Sequence, residues 1–232
     1  MEIGNPVRKN IEYLIKEGDI KGLLTKAGEL HGHFCNYLAY GVKAGYIAMR
    51  ELEVKSTGME EVVAIVETNN CFSDGIQMVT GCSFGNNALI YKDLGKTAAT
   101  FAKRDGTAIR IVLNPQFEDT REKEYPEAYE LFNKIVARRE NATPEEYARL
   151  FQLFQEMSFK EIDMPEDKMF RIKRMNIKVP KYAPIFASVK CSICEENVME
   201  TKARIKDGKF VCINCAALQH YVLSGAGISR EG

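Results

Sequence analysis

Two cysteine pairs, Cys191-x-x-Cys194 and Cys212-x-x-Cys215, constrain this chain more than any other feature. A two-residue spacer lets both thiolates of a pair reach one ion, and the seventeen residues between the pairs let the chain fold back on itself. Four thiolates fill the tetrahedral shell of zinc and leave no position for a substrate, so the expected centre is structural. Four-thiolate coordination of an iron–sulfur cluster and plain buried thiols are the competing readings. Between the pairs, residues 203–206 and 209–212 flank Asp207-Gly208, a hairpin turn signal, and residues 216–223 read as a helix. This order resembles a treble clef or zinc ribbon, with His220 on the helix surface and outside the ligand set.

The remaining length is enough for one large core, so the sequence divides into a core domain at 1–182 and a zinc-finger domain at 183–232. Thirty-two basic and thirty-two acidic residues cancel, which argues against a dedicated binder of nucleic acid or of an anionic membrane. The opening Met-Glu-Ile-Gly-Asn carries no leader pattern and no apolar stretch reaches membrane-spanning length, so a cytoplasmic protein is expected. Seven cysteines in that setting read as metal ligands or redox thiols and not as a disulfide framework.

Within the core, Ile11, Leu14 and Ile15 suggest a leading helix and residues 23–30 a second segment. Phe34, Leu38, Val42, Tyr46, Met49 and Leu52 share one helical face. Beside that face, Gly41, Ala44, Gly45 and Ala48 allow another backbone to approach closely, which suggests tight packing, a second subunit being one candidate partner. Residues 62–66, 88–91, 98–102 and 107–113 read as strands, with a turn at Arg104-Asp105-Gly106. Two helices follow, over 120–139 and 144–157, the second opened by Thr143 with Pro144 and a capping-box Glu146. Residues 170–179 alternate apolar with basic side chains, as an edge strand does. The fold class is therefore α+β, a central mostly antiparallel sheet with packed helices beside a small zinc domain.

His31-Gly32-His33-Phe34-Cys35 puts three soft or borderline donors at alternate positions, on one side if the segment is extended. The sequence Asn69-Asn70-Cys71-Phe72-Ser73-Asp74-Gly75 reads as a polar loop after a buried strand, bringing Cys71 and Asp74 to the same crevice; Cys82 is a further thiol. Gly95-Lys96-Thr97 lacks the earlier glycine of a phosphate loop, because Ile90 stands there, which leaves Lys96 as a lone candidate anion contact.

These motifs in order, His31-Gly32-His33-x-Cys35, Asn70-Cys71-x-x-Asp74-Gly75-Ile76-Gln77, Gly81-Cys82-x-Phe84-Gly85-Asn86 and Gly95-Lys96-Thr97-Ala98, resemble the E-subunit family of formylmethanofuran dehydrogenase. The resemblance implies an α+β core that pairs as a homodimer, a cleft holding a metal near the His and Cys positions, and an appended zinc finger. It further implies a place beside molybdenum or tungsten enzymes that interconvert carbon dioxide and formyl groups. Asn36-Tyr37 stand where the family usually has Pro-Gly, which puts a bulkier side chain by the cleft.

Three functions follow as expectations. The first is a metal-binding accessory or subunit-like protein of one-carbon redox metabolism. In it His31, His33 and Cys35 hold zinc or another transition metal, Cys71 and Asp74 stand at the reacting position, and Cys191, Cys194, Cys212 and Cys215 hold the structural zinc. The second is an enzyme using Cys35 or Cys71 as a nucleophile or redox thiol. The third is a regulatory module whose finger, with Arg204, Lys206 and Lys209, meets a protein or, less in keeping with zero net charge, nucleic acid.

Overall fold

The computed structural model describes residues 6–232; the opening Met-Glu-Ile-Gly-Asn, where no leader is expected, lies outside the described residues. The chain divides into two compact units, one ending at Pro180 and the other comprising Lys181–Gly232.

The first unit is built on a five-stranded sheet of β1 (Val62–Val66), β2 (Leu89–Tyr91), β3 (Ala98–Lys103), β4 (Thr107–Leu113) and β5 (Phe170–Asn176), in the order β2-β1-β3-β4-β5. β1 and β2 are parallel and the other pairs antiparallel, as the mostly antiparallel expectation requires. The unbroken Val-Val-Ala-Ile-Val of β1 is buried throughout, and the alternating β5 takes the edge.

Four helices precede or interrupt the first strands: α1 (Lys9–Glu17), α2 (Ile20–His31), α3 (Asn36–Leu52) and α4 (Cys71–Thr80). The small residues of α3 do pack tightly, and Gly41 and Gly45 do so against α4 of the same chain. A Cβ on Gly41 would stand 2.0 Å from the carbonyl oxygen of Phe72, and one on Gly75 would stand 2.4 Å from that of Leu38. Backbone meets backbone at both points, which only glycine permits.

After a short α5 (Pro115–Glu118), the helix expected over 120–139 is broken into α6 (Arg121–Glu124), α7 (Pro126–Phe132) and a π-helical turn at Asn133–Ala137. Pro126 is the reason: it lacks an N–H and disfavours helical geometry at Tyr125, which sits at φ −129° and ψ 55°. Thr143 and Glu146 do form the capping box that opens α8 (Pro144–Glu161), and α9 (Glu166–Met169) leads into β5.

The second unit consists of three hairpins, β6 (Ser188–Lys190) with β7 (Asn197–Met199), β8 (Arg204–Lys206) with β9 (Lys209–Val211), and β10 (His220–Ser224) with β11 (Gly227–Glu231). Asp207 and Gly208, at φ 50° and 74°, give the β8–β9 turn its doubly left-handed form. The helix expected at 216–223 is replaced by β10. Ala217 turns left-handed at φ 52° and stops the turn after Cys215, and Tyr221 and Val222 then pair with Arg230 and Ser229. The unit is therefore ribbon-like. No described helix is long and apolar enough to cross a membrane.

Replacing Gly41 by Ala should cost about 3 kcal/mol or more, beyond ordinary overpacking, because the Phe72 carbonyl cannot yield without moving α4. Gly85→Ala, whose Cβ would meet nothing nearer than 3.9 Å, should stay within about 0.5 kcal/mol of wild type in urea unfolding. Equal midpoints for the two variants would refute the close-approach reading.

Candidate metal centre

Local backbone geometry gathers the central histidines and cysteines. α2 ends on His31 because Gly32 adopts φ 90° and ψ −10° and its N–H closes onto the carbonyl of Gly28. Cys35 then lies extended at φ −150° and caps α3, its sulfur accepting from the N–H of Leu38 at 3.4 Å. From the other side, the Asn70 side chain caps the N–H of Phe72 at 3.0 Å, so Cys71 opens α4. The expected extended His-x-His-x-Cys stretch and the expected loop at 69–75 are thus a helix end, a left-handed turn and two helix starts.

Ligand atoms of His31, His33, Cys35 and Cys71 all lie within 4.8 Å of one another. Asp74 stands behind them and contributes no donor to this group. Its Oδ2 meets His31 Nδ1 at 2.7 Å, and its Oδ1 accepts from Gln77 Nε2 at 3.0 Å. With Nδ1 taken, Nε2 is the nitrogen His31 has left, and it is buried without a hydrogen-bond partner. An orphaned imidazole nitrogen beside two thiols suits a borderline metal ion, for which the carboxylate–histidine pair fixes the tautomer. The residues present therefore fit a transition metal.

The two thiols are electrically unequal. The neighbouring Cys35 thiol and His31 bring the Cys71 thiol down to about 6, while the closeness of Cys71 and burial hold Cys35 far above the thiol range. His33 is lowered by burial and by the neighbouring His31. Cys82 does not join the group: it is fully buried, donates to the Val62 carbonyl, and is pushed up to about 11 by burial. Tyr37 turns its hydroxyl to Glu118 and does not line the cavity beside the cluster. Lys96 lies exposed in the loop before β3.

That cavity, of about 540 Å³, has His33, Cys35 and Cys71 on one side and α7, α8 and the π-helical turn on the other. Its aromatic wall is a feature that reading the sequence missed, although Tyr147, Leu150, Phe151 and Phe154 stand at the i, i+3, i+4, i+7 spacing of one helical face.

In the second unit the sulfurs of Cys191, Cys194, Cys212 and Cys215 also lie within 4.8 Å of one another. N–H groups of Cys212, Cys194 and Ile193 point at Cys191 and bring it down to about 6, as thiolate ligation requires. Arg204, Lys206 and Lys209 are exposed around the β8–β9 turn, and His220, on β10, is outside the sulfur group.

Residues 30–171 match the family model described as FmdE, molybdenum formylmethanofuran dehydrogenase operon. The chain belongs to the FmdE family. In this FmdE chain, residues 184–219 match the prokaryotic dksA/traR C4-type zinc finger, and with the four-sulfur group they identify a small zinc domain holding a structural metal. A probable S-adenosyl-L-methionine-binding protein of Archaeoglobus fulgidus is 39% identical over 98% of this chain, which spans 61% of that relative's length. The crystal structure of a tungsten formylmethanofuran dehydrogenase FmdE-like protein from Syntrophus aciditrophicus superposes with a TM-score of 0.53 at 19% identity. The match covers 85% of this chain and 91% of that one, a likeness of fold.

In chelator-treated protein, alkylation followed by peptide mapping should find Cys71 the most reactive core thiol. A thiol lowered to about 6 is mostly thiolate a pH unit above that, so its rate should hold from pH 8 down to about 7, halve near 6 and fall further below. Cys82 should stay unmodified across this range; modification of Cys82 ahead of Cys71 would contradict the geometry.

Proposed function

We propose that this FmdE protein is a metal-binding accessory or subunit-like component of one-carbon redox metabolism. It would act in the cytoplasm as a homodimer, beside a molybdenum or tungsten enzyme that interconverts carbon dioxide and formyl groups. In this reading the domain boundary near residue 182 separates a core that carries the metal cleft from a finger available for docking.

The observation that carries the reading is His31. Its ring is pinned at Nδ1 by Asp74, and its free Nε2 is buried with no partner beside Cys35, Cys71 and His33. A buried imidazole nitrogen left unbonded costs about 1–3 kcal/mol, which a ligated ion removes. His31, His33, Cys35 and Cys71 would hold the core ion, zinc or another transition metal, which when bound supplies a Lewis acid beside the cavity. Asp74 acts as a positioning residue, keeping the His31 proton on Nδ1, and Gln77 holds Asp74 in turn. Placing Cys71 among the donors changes its expected role from reacting thiol to ligand.

Elemental analysis of the purified full chain should give two metal ions. Cys191→Ser should remove one, His31→Ala or Cys71→Ser the other, and Asp74→Asn should weaken the core site by about 10- to 100-fold while sparing the four-cysteine site. A single ion per chain, lost in Cys191→Ser and kept in Cys71→Ser, would eliminate the core centre.

A further inference from the structure

We infer that the cavity between the core cluster and α8 is a binding site for a flat, largely apolar organic anion, gripped by aromatic side chains and by Arg139. The inference rests on the metal-centre reading for what lies at the cavity's inner end, and on the walls alone for the ligand's chemistry.

The volume of about 540 Å³ falls inside the range of about 300–1,000 Å³ typical of small-molecule sites. The walls are nearly all apolar. Tyr147, Phe151 and Phe154 line up along one face of α8, with Phe132 opposite on α7 and its ring centroid 5.8 Å from that of Phe154. Phe151 also approaches His33, with ring centroids 6.4 Å apart, so the aromatic wall runs up to the cluster itself. Yet Phe132, Tyr147 and Phe151 remain 37%, 43% and 52% exposed. Apolar rings left open around a concavity gain by covering, and their faces favour a planar occupant that stacks on them.

Charge selects among such occupants. Neighbouring cations are neutralised locally, Lys134 by Glu146 at 2.6 Å and Arg138 by Glu140 at 2.5 Å. Arg139, which lines the cavity, has no carboxylate partner among the described residues. Its backbone is left-handed at φ 56°, an unfavourable conformation for arginine, and it lies two residues past the π-helical turn. An unpaired guanidinium at the edge of an otherwise apolar cavity recognises a carboxylate, which it can hold by two parallel hydrogen bonds. The ligand class is therefore an aromatic carboxylate whose ring system extends from Arg139 toward His33 and Cys71.

The test uses the full-length, zinc-replete protein with naphthalene-2-carboxylate and its uncharged analogue naphthalene-2-methanol, followed by isothermal titration. The carboxylate should bind more tightly than the alcohol. Arg139→Gln should weaken the carboxylate about tenfold or more and leave the alcohol within about twofold. Phe151→Ala, a change at an exposed position, should weaken both. With cobalt in the core site, the carboxylate should shift the visible spectrum. If this pattern persists in a protein that elemental analysis shows to carry only the finger's metal, the cavity assignment stands and the metal centre falls. If two metals are present and neither probe binds, or Arg139→Gln affects both probes alike, the cavity assignment is overturned and the metal centre stands. Self-association abolished by Phe151→Ala, with no probe binding, would give the aromatic rim to a second copy and overturn the assignment as well.

Discussion

The contact between the opening turns of α3 and α4 is the constraint on which the centre depends. Gly41 receives the Phe72 carbonyl and Gly75 receives that of Leu38, so the two helices touch backbone to backbone at their N-terminal ends. Cys35 caps one helix and Cys71 opens the other, so the same contact that packs the core brings their sulfurs together. Both thiols then face helix N-termini, where unpaired N–H groups and the axial dipole favour negative charge. A side chain at either glycine would separate the helices and the sulfurs alike, which ties stability and metal geometry to one interface.

A second set of contacts ties that centre to the cavity wall. Asn36 donates to the hydroxyls of Tyr40 and Tyr129, Tyr40 to Glu161, and Tyr37 to Glu118, while Arg121 meets Glu161 at 2.8 Å with both side chains buried. Burial raises the Glu161 carboxyl, and Arg121 and Tyr40 oppose that rise by holding its ionised form. Lys43 adds its ammonium to the carbonyls of Ile162 and Met164 after α8. Breaking one member leaves another buried and unpaired, so the network fixes α5–α8 against the first turns of α3 more rigidly than apolar packing would. Asn36 and Tyr37 supply three of these hydrogen bonds, and the tyrosine turns its hydroxyl to Glu118 and away from the cavity that its bulk was expected to crowd.

Much of this was legible in the sequence, for identifiable reasons. The buried β-branched run of β1, the capping box of α8 and the Asp207-Gly208 turn are local signals, decided by residues adjacent in the chain. The donors His31, His33, Cys35 and Cys71 stand out by type and spacing, but how they converge does not, because it depends on Gly32 turning left-handed and on Asn70 starting a helix where a loop was expected. The small-residue stripe on α3 announced a close approach but not that α4 makes it, for the same reason: spacing reveals that something approaches closely, not which segment does. The strand at β10 was hidden because Ala217, an ordinary helix former, adopts a left-handed conformation that its own side chain does not announce. Arg139 and the aromatic face of α8 escape a reading of the sequence because an amphipathic helix looks the same whether its apolar stripe covers a core or borders a cavity.

The two groups of candidate metal donors differ in composition and setting. In the finger, four like donors are met by knuckle N–H groups, an arrangement whose whole purpose is closure and which stabilises a unit too small to rely on an apolar core. In the core, a large apolar interior already exists, so an ion is not needed to fold it. There the donors are mixed, one histidine is oriented by a carboxylate that is itself held by Gln77, and another, His33, is exposed at the edge of an apolar cavity. With an ion bound there, such an outer layer of hydrogen bonds would tune it as well as retain it. The finger thus has the make-up of a closed structural site, whereas the mixed donors of the core border an open, largely apolar cavity.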